Sequence, residues 1–219
     1  MEIETLPDAY GLYRALESLD LLAKKPPLWW PRYGSFEVVV GAVLTQNSQW
    51  TRVEASLHNL RGAHLLSPAA LAHIDLQTLM ELIRPSGLFK NKSGVIRTLA
   101  GAIVSDFGDF ETFRSEVSRE WLLRQKGIGP ETADSILCYA CGRAAMVVDA
   151  YTARLLDALG FELETYDALQ AWCVEGLEGP FGEAELSEVY ARFHGMIVEY
   201  VKRNKKGRSV DVTALVSVL

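Results

Sequence analysis

Leu122-Leu123-Arg124-Gln125-Lys126-Gly127-Ile128-Gly129-Pro130-Glu131-Thr132-Ala133, followed downstream by Val147-Val148-Asp149, is the stretch that decides how this chain folds. It predicts a helix ending at Lys126, a turn in which two glycines flank one apolar residue, and a second helix starting at Pro130 or Glu131. Proline in a first helical turn gives up no needed hydrogen bond, because that N–H has no intrahelical acceptor. Glycine supplies the positive φ that so short a reversal requires. It also leaves bare backbone N–H groups at a helix N-terminus, where the dipole favours an anion such as phosphate. Ala133, Ile136, Leu137, Ala140 and Cys141 give the second helix a small, apolar face for close packing on the first. A lone Gly-x-Gly is more simply a tight helix connection; in this context a phosphate-binding hairpin is the stronger reading.

Outward from the hairpin the period stays helical. Leu12, Leu16, Leu19 and Leu22 outline a first amphipathic helix, and Pro26-Pro27 breaks the chain before the aromatic turn Trp29-Trp30-Pro31. Phe36, Val39, Val40, Val43 and Leu44 follow at helical spacing, with Ser35 as the expected cap. Further helices are predicted from Gln49 to Leu60, from Pro68 to Arg84, and from Lys92 to Phe107, with Ser86-Gly87-Leu88-Phe89 as a turn. One or two more cover Phe110 to Arg124. After Asp149 come a helix with Leu155, Leu156 and Leu159, a weaker one from Tyr166 to Leu177, a loop marked by Gly176, Gly179, Pro180 and Gly182, and a helix from Leu186 to Tyr200. No alternating strand pattern competes, so the expected class is all-α.

With 219 residues, nearly half of them apolar and about a quarter charged, the chain suits one domain or two small lobes. No apolar run approaches the ~20 residues of a membrane span. The start, Met1-Glu2-Ile3-Glu4, is acidic and lacks the basic region of a signal peptide. Three cysteines, an odd count, point to a reducing compartment rather than a disulfide framework. A soluble, cytoplasmic protein is expected. The net charge of −6 weighs against nucleic-acid binding, but affinity depends on local charge. Basic residues gather at Arg84, Lys90, Lys92 and Arg97, and again at Lys202, Arg203, Lys205, Lys206 and Arg208. The second group equally suits a solvated helix end, where cations complement the dipole.

These residues resemble the helix-hairpin-helix base-excision DNA glycosylases related to endonuclease III. The resemblance covers about Phe36 to Leu159 and rests on V-L-T-Q-N, S-G-L-F-x-N-K, K-G-I-G-P-E-T-A and V-V-D in that order. The W-W-P turn and the late A-R-F-H-G are most similar to the bacterial 3-methyladenine DNA glycosylases of this branch. The resemblance implies two helical lobes with the active site in the cleft between them. Residues 27–142 would form a central lobe ending in the hairpin; 1–26 and 143–219 would form the second. It implies double-stranded DNA with a damaged base as partner, a monomer, and base flipping as the mode of access.

The implied site residues each have a plainer structural reading. Asp149 is an ordinary N-cap before a helix, and in the family it also faces the sugar, stabilising an oxocarbenium-like transition state or activating water. Glu131 stands where bifunctional members carry a nucleophilic lysine, which implies hydrolysis without strand cleavage. Trp29, Trp30 and Pro31, with Trp50, would line the base pocket, an indole face attracting a cationic alkylpurine; singly, each tryptophan reads as core. Gln46 and Asn47 would fill the gap left by the flipped nucleotide, and Leu88 would be an apolar wedge. Lys126, Gly127, Ile128, Gly129 and Glu131 would contact DNA at the hairpin, where the carbonyls of Leu123, Gln125 and Ile128 would hold a Na+ or K+ ion. His194 sits on the apolar stripe of a late helix, where a satisfied buried histidine is the default reading and the resemblance leaves a pocket-adjacent role open; close relatives often carry lysine in place of Met196.

Cys138 and Cys141 share one helix and Cys173 is distant, so the four-cysteine set of an endonuclease III iron–sulfur cluster is incomplete and none is expected. The function implied is a monofunctional glycosylase of base-excision repair for alkylated purines such as 3-methyladenine. The alternatives are a same-fold glycosylase for uracil, mismatched thymine or an oxidised base, and a damage-sensing DNA-binding module without catalysis.

Overall fold

A computed structural model describes residues 7–207 and 209–218. The acidic start at Met1–Glu4 and Arg208 of the second basic group lie outside the described residues. The fold is mostly helical and divides into two compact units. One runs to Pro31 and resumes at Gly142; the other is Arg32–Cys141. Trp29, Trp30 and Pro31 therefore belong to the discontinuous unit, whereas the sequence placed them with the central one. The reason lies far along the chain: the Trp29 indole lies against Gly195 and donates its Nε1–H to Glu199, both on a late helix of its own unit.

The discontinuous unit begins with α1 (Ala9–Ser18), capped by Asp8, whose Oδ1 accepts the Gly11 N–H at 2.7 Å. Leu12 and Leu16, one turn apart, are fully buried. The central unit then supplies α2 (Phe36–Thr45), α3 (Trp50–Gly62), α4 (Pro68–His73), α5 (Leu76–Leu82), α6 (Phe89–Phe107), α7 (Phe110–Glu116), α8 (Arg119–Leu123) and α9 (Pro130–Ser135), which runs on through a wider π turn at Ile136–Ala140. A tight 3-10 turn at Arg84–Ser86 separates α5 from α6. The chain returns to the first unit with α10 (Ala150–Ala158), α11 (Tyr166–Glu178), α12 (Leu186–Asn204), a two-residue hairpin β1 (Lys205–Lys206) and β2 (Ser209–Val210), and α13 (Thr213–Val216).

Helix α2 is apolar on every face, with Val38, Val39, Val40, Val43 and Leu44 all buried, as a central helix must be. Ser35 occupies its N-cap position without capping; its hydroxyl donates to the Arg32 carbonyl instead. The span expected as one helix from Pro68 to Arg84 is two, because Asp75 caps α5 by accepting from Thr78 N–H at 2.8 Å. Helix α6 starts at Phe89 rather than Lys92, and α8 stops at Leu123 rather than Lys126.

In the discontinuous unit, α12 carries Tyr190, Phe193, Ile197 and Val201 into a core shared with Leu12 and Leu16 of α1 and Leu155 and Leu156 of α10. Truncating any of these leucines to alanine typically costs about 2–5 kcal/mol. Gly176 lies within α11, not in a loop: a Cβ there would meet the Ala9 backbone N at 2.9 Å, so the glycine serves a close helix crossing. The small hairpin was not foreseen; Gly207, at φ 63°, turns Lys205–Lys206 back on Ser209–Val210.

Candidate active site

Asp149 follows the buried Val147-Val148 and caps α10 with φ −147° and ψ −171°. Its two oxygens have separate tasks. Oδ1 accepts the Tyr151 N–H at 2.8 Å and the Thr152 N–H at 3.0 Å. The Thr152 hydroxyl accepts the Asp149 N–H at 3.3 Å, which completes a reciprocal capping box. Oδ2 lies 3.4 Å from Nε2 of the buried His194 on α12. Burial opposes ionisation, but His194 and the Thr152 and Tyr151 N–H groups outweigh it, and the carboxyl sits below its ordinary value. The site thus keeps an ionised carboxylate at a helix start.

The Trp29 ring meets His194 edge-on, centroids 5.2 Å apart, and meets the buried Trp30 at 5.9 Å in the same manner. Gly195 makes this possible, since a Cβ there would fall 2.5 Å from Trp29 Cγ. The Trp29 Nε1–H donates to Glu199 Oε1 at 3.1 Å, and Lys25 Nζ lies 3.0 Å from the same oxygen. Lys202 holds its ammonium 5.9 Å from the Trp29 ring centroid and 5.6 Å from that of Tyr151. Burial pulls the Lys202 amine below its ordinary value, against the pull of Glu199 and Asp149. Of the two adjacent tryptophans, Trp29 is half-buried and Trp30 is a core residue. Met196 is also core.

In the central unit, Gly127 has φ 87°, and a Cβ there would meet Val95 Cγ2 at 2.5 Å. The turn closes on itself: the Gln125 N–H donates to the Leu122 carbonyl at 2.9 Å and the Ile128 N–H to the Gln125 carbonyl at 3.1 Å. Ile128 is buried beneath, whereas Lys126, Gly127, Gly129 and Glu131 are exposed. Gly129 is the N-cap of α9, with extended φ −96° and no side-chain cap. Arg119 of α8 grips the buried Asp134 of α9 through Nε at 2.7 Å and a terminal nitrogen at 3.0 Å, fixing the two helices of the hairpin.

The Gln46 side chain does not stand free at the end of α2. Its amide Nε2 donates to the Gly127 carbonyl and to Thr132 Oγ1, each at 3.0 Å, latching the loop to the hairpin. Asn47 is exposed at φ 51°, and Leu88 is 57% exposed at φ 47°, an uncommon place for a leucine. Trp50 opens α3 and is half-buried.

Residues 40–177 match the HhH-GPD superfamily of base excision DNA repair proteins. The chain belongs to that superfamily. A 3-methyladenine DNA glycosylase of H. pylori, solved with 1,N6-ethenoadenine bound, superposes with a TM-score of 0.87 at 42% identity, over 91% of this chain and 100% of that one. A Methanocaldococcus jannaschii protein provisionally described as a DNA repair glycosylase is 37% identical over 182 residues, 80% of each chain. An endonuclease III of Thermotoga maritima is 29% identical over 150 residues, 66% of this chain and 68% of its own. The chain is accordingly an HhH-GPD DNA glycosylase of base excision repair, with the helical fold of that superfamily.

Within this HhH-GPD chain, Cys138, Cys141 and Cys173 are all buried, and burial pushes the thiols of Cys138 and Cys173 up. Among the described residues no group of three or more His, Cys, Asp or Glu could hold a metal ion. Glu199 and Lys25, absent from the sequence reading, and Lys202, read there only as part of a basic group, surround Trp29 with charge. Gly195, inside the A-R-F-H-G motif, was the available signal, since a glycine in a helix interior marks a close approach.

Proposed function

We infer that this glycosylase is monofunctional and removes alkylated purines such as 3-methyladenine, hydrolysing the N-glycosidic bond with water. The observation that carries this reading is Asp149, held by its capping bonds with Oδ2 3.4 Å from Nε2 of His194, the imidazole that the Trp29 ring also meets. The similar H. pylori protein, named for 3-methyladenine and solved with 1,N6-ethenoadenine, supports the substrate class. An N3-alkylated adenine is cationic and already a good leaving group, so it asks for an electron-rich π-face and no strong general acid. Trp29, the half-buried member of the Trp-Trp pair, would supply an aromatic face that replaces lost stacking. Asp149 would then stabilise the oxocarbenium-like sugar by charge, or hold and deprotonate the attacking water.

Duplex DNA would be held by the backbone N–H groups of Gly127 and Gly129 and of the first turn of α9, with Lys126 nearby and Glu131 at the rim. The turn carbonyls of Leu123, Gln125 and Ile128 fit a monovalent cation in donor type, and such an ion would tighten the turn around phosphate. No iron–sulfur cluster is expected, because three cysteines cannot complete its ligand set. Glu131 cannot act as an amine nucleophile. The place of Lys202, its amine over the Trp29 and Tyr151 rings, favours a second reading, strand cleavage through a Schiff base. Oligonucleotide duplexes each carrying 3-methyladenine, 1,N6-ethenoadenine, uracil or an oxidised base test the substrate, with base release and strand cleavage scored separately. Release of the alkylated purines with intact strands is the expected result; uracil release without purine release overturns the substrate choice.

A further inference from the structure

The buried Lys92 in S-G-L-F-x-N-K has no task in the chemistry above. Its Nζ donates to the Leu44 carbonyl at 2.8 Å and to the Ser86 carbonyl at 2.9 Å. Among the described residues no carboxylate lies within ion-pair distance of it. Leu44 is in the last turn of α2, whose carbonyls lack intrahelical donors and carry the negative end of the dipole. Ser86 ends the 3-10 turn before α6. Each anchor stands two residues ahead of an expected DNA contact, Gln46 in one case and Leu88 in the other. Both loops carry a non-glycine residue at positive φ: Asn47 at 51°, where asparagine goes readily, and Leu88 at 47°, where a leucine must be held by its surroundings.

We propose that Lys92 is a positioning residue that ties the end of α2, which leads into the Gln46-Asn47 loop, to the Leu88 turn, so that loop and wedge meet the duplex as one unit. This rests on the reading that these two loops occupy the DNA around a flipped base. The Leu88 turn has its own support without Lys92: the Ser86 N–H donates to Ser56 Oγ at 3.1 Å, and the Ser86 hydroxyl to the Ile83 carbonyl at 2.8 Å. What Lys92 adds is the link to α2. Its charge strengthens two hydrogen bonds that a neutral chain of equal length cannot make.

The test uses the full chain and a duplex with 2-aminopurine beside a 3-methyladenine, its fluorescence rise reporting unstacking. Lys92→Met is expected to keep its helicity and to bind undamaged duplex as the parent does. The fluorescence rise and the single-turnover release rate should each fall about tenfold or more, the scale of losing charge-assisted hydrogen bonds. In the parent background, Gln46→Ala and Leu88→Ala should be strongly non-additive in that fluorescence; in Lys92→Met they should become additive. Parent-like fluorescence and release in Lys92→Met overturns the proposal. If Lys92→Met does not fold, additivity of the two alanine changes in the parent background overturns it alone. Should neither alanine change alter the parent's fluorescence, the DNA-facing reading of the loops falls first and the proposal with it.

Discussion

Two helix starts, one in each unit, solve the same problem in opposite ways. At the start of α10 the chain satisfies its own N–H groups: Asp149 Oδ1 accepts from Tyr151 and Thr152, and Thr152 returns the favour. At the start of α9 the N-cap is Gly129, which has no side chain to offer. A helix N-terminus left without a side-chain cap is a site for someone else's anion; one filled by its own carboxylate is a place where a negative charge is stabilised and kept. The difference divides binding from chemistry. On the proposed function, phosphate would sit at the glycine start and a developing positive charge near the aspartate start.

Exchanging charge at the aspartate start should have the largest effect. Asn caps as well as Asp does but loses the charge facing His194, so Asp149→Asn should keep α10 and lower the thermal midpoint only modestly while lowering single-turnover base release about 100-fold or more. Next come the glycines. Gly127→Ala meets Val95 and a positive φ together, so calorimetry should record a loss of about 1–3 kcal/mol, with weakened duplex binding. Gly129→Ala meets nothing within 4 Å, and its stability should stay within about 0.5 kcal/mol. A loss of duplex affinity there would isolate backbone approach to phosphate. Thr152→Val removes half of the capping box at the aspartate start and should cost about 1 kcal/mol in urea unfolding.

The smallest effect near neutrality is that of pH. The Asp149 carboxyl lies below its ordinary value of about 3.9, so its contribution to stability is complete above that pH and is lost as pH falls through the lower folded value. Base release should therefore be flat in Asp149 ionisation from neutrality to about pH 4. An acid limb near pH 6 would assign the titration elsewhere.

The hairpin was legible because its cause is local: Gly127 needs a positive φ, and Pro130 tolerates a helix start. Asp149 was legible as a cap for the same reason. The break between α4 and α5 was not, because Leu71, Ile74, Leu79 and Leu82 keep helical spacing across it; Asp75 before Thr78 was the overlooked cap signal. Gly176 was misread as a loop marker because its reason for being glycine is Ala9, far away in the chain. Lys202 looked like a solvated helix end, and only the folded chain brings it over rings supplied by Trp29 and Tyr151. The Gln46 latch to Gly127 is likewise a long-range fact that no local pattern encodes.

The claim at the centre is that water, directed by an ionised Asp149, replaces an amine nucleophile. Single-turnover reaction with a duplex carrying one 3-methyladenine, in the presence and absence of borohydride, tests it most directly. The account predicts base release, an intact strand with an abasic site, and no covalent protein–DNA adduct. A borohydride-trapped adduct that disappears in Lys202→Ala would contradict it and name the amine.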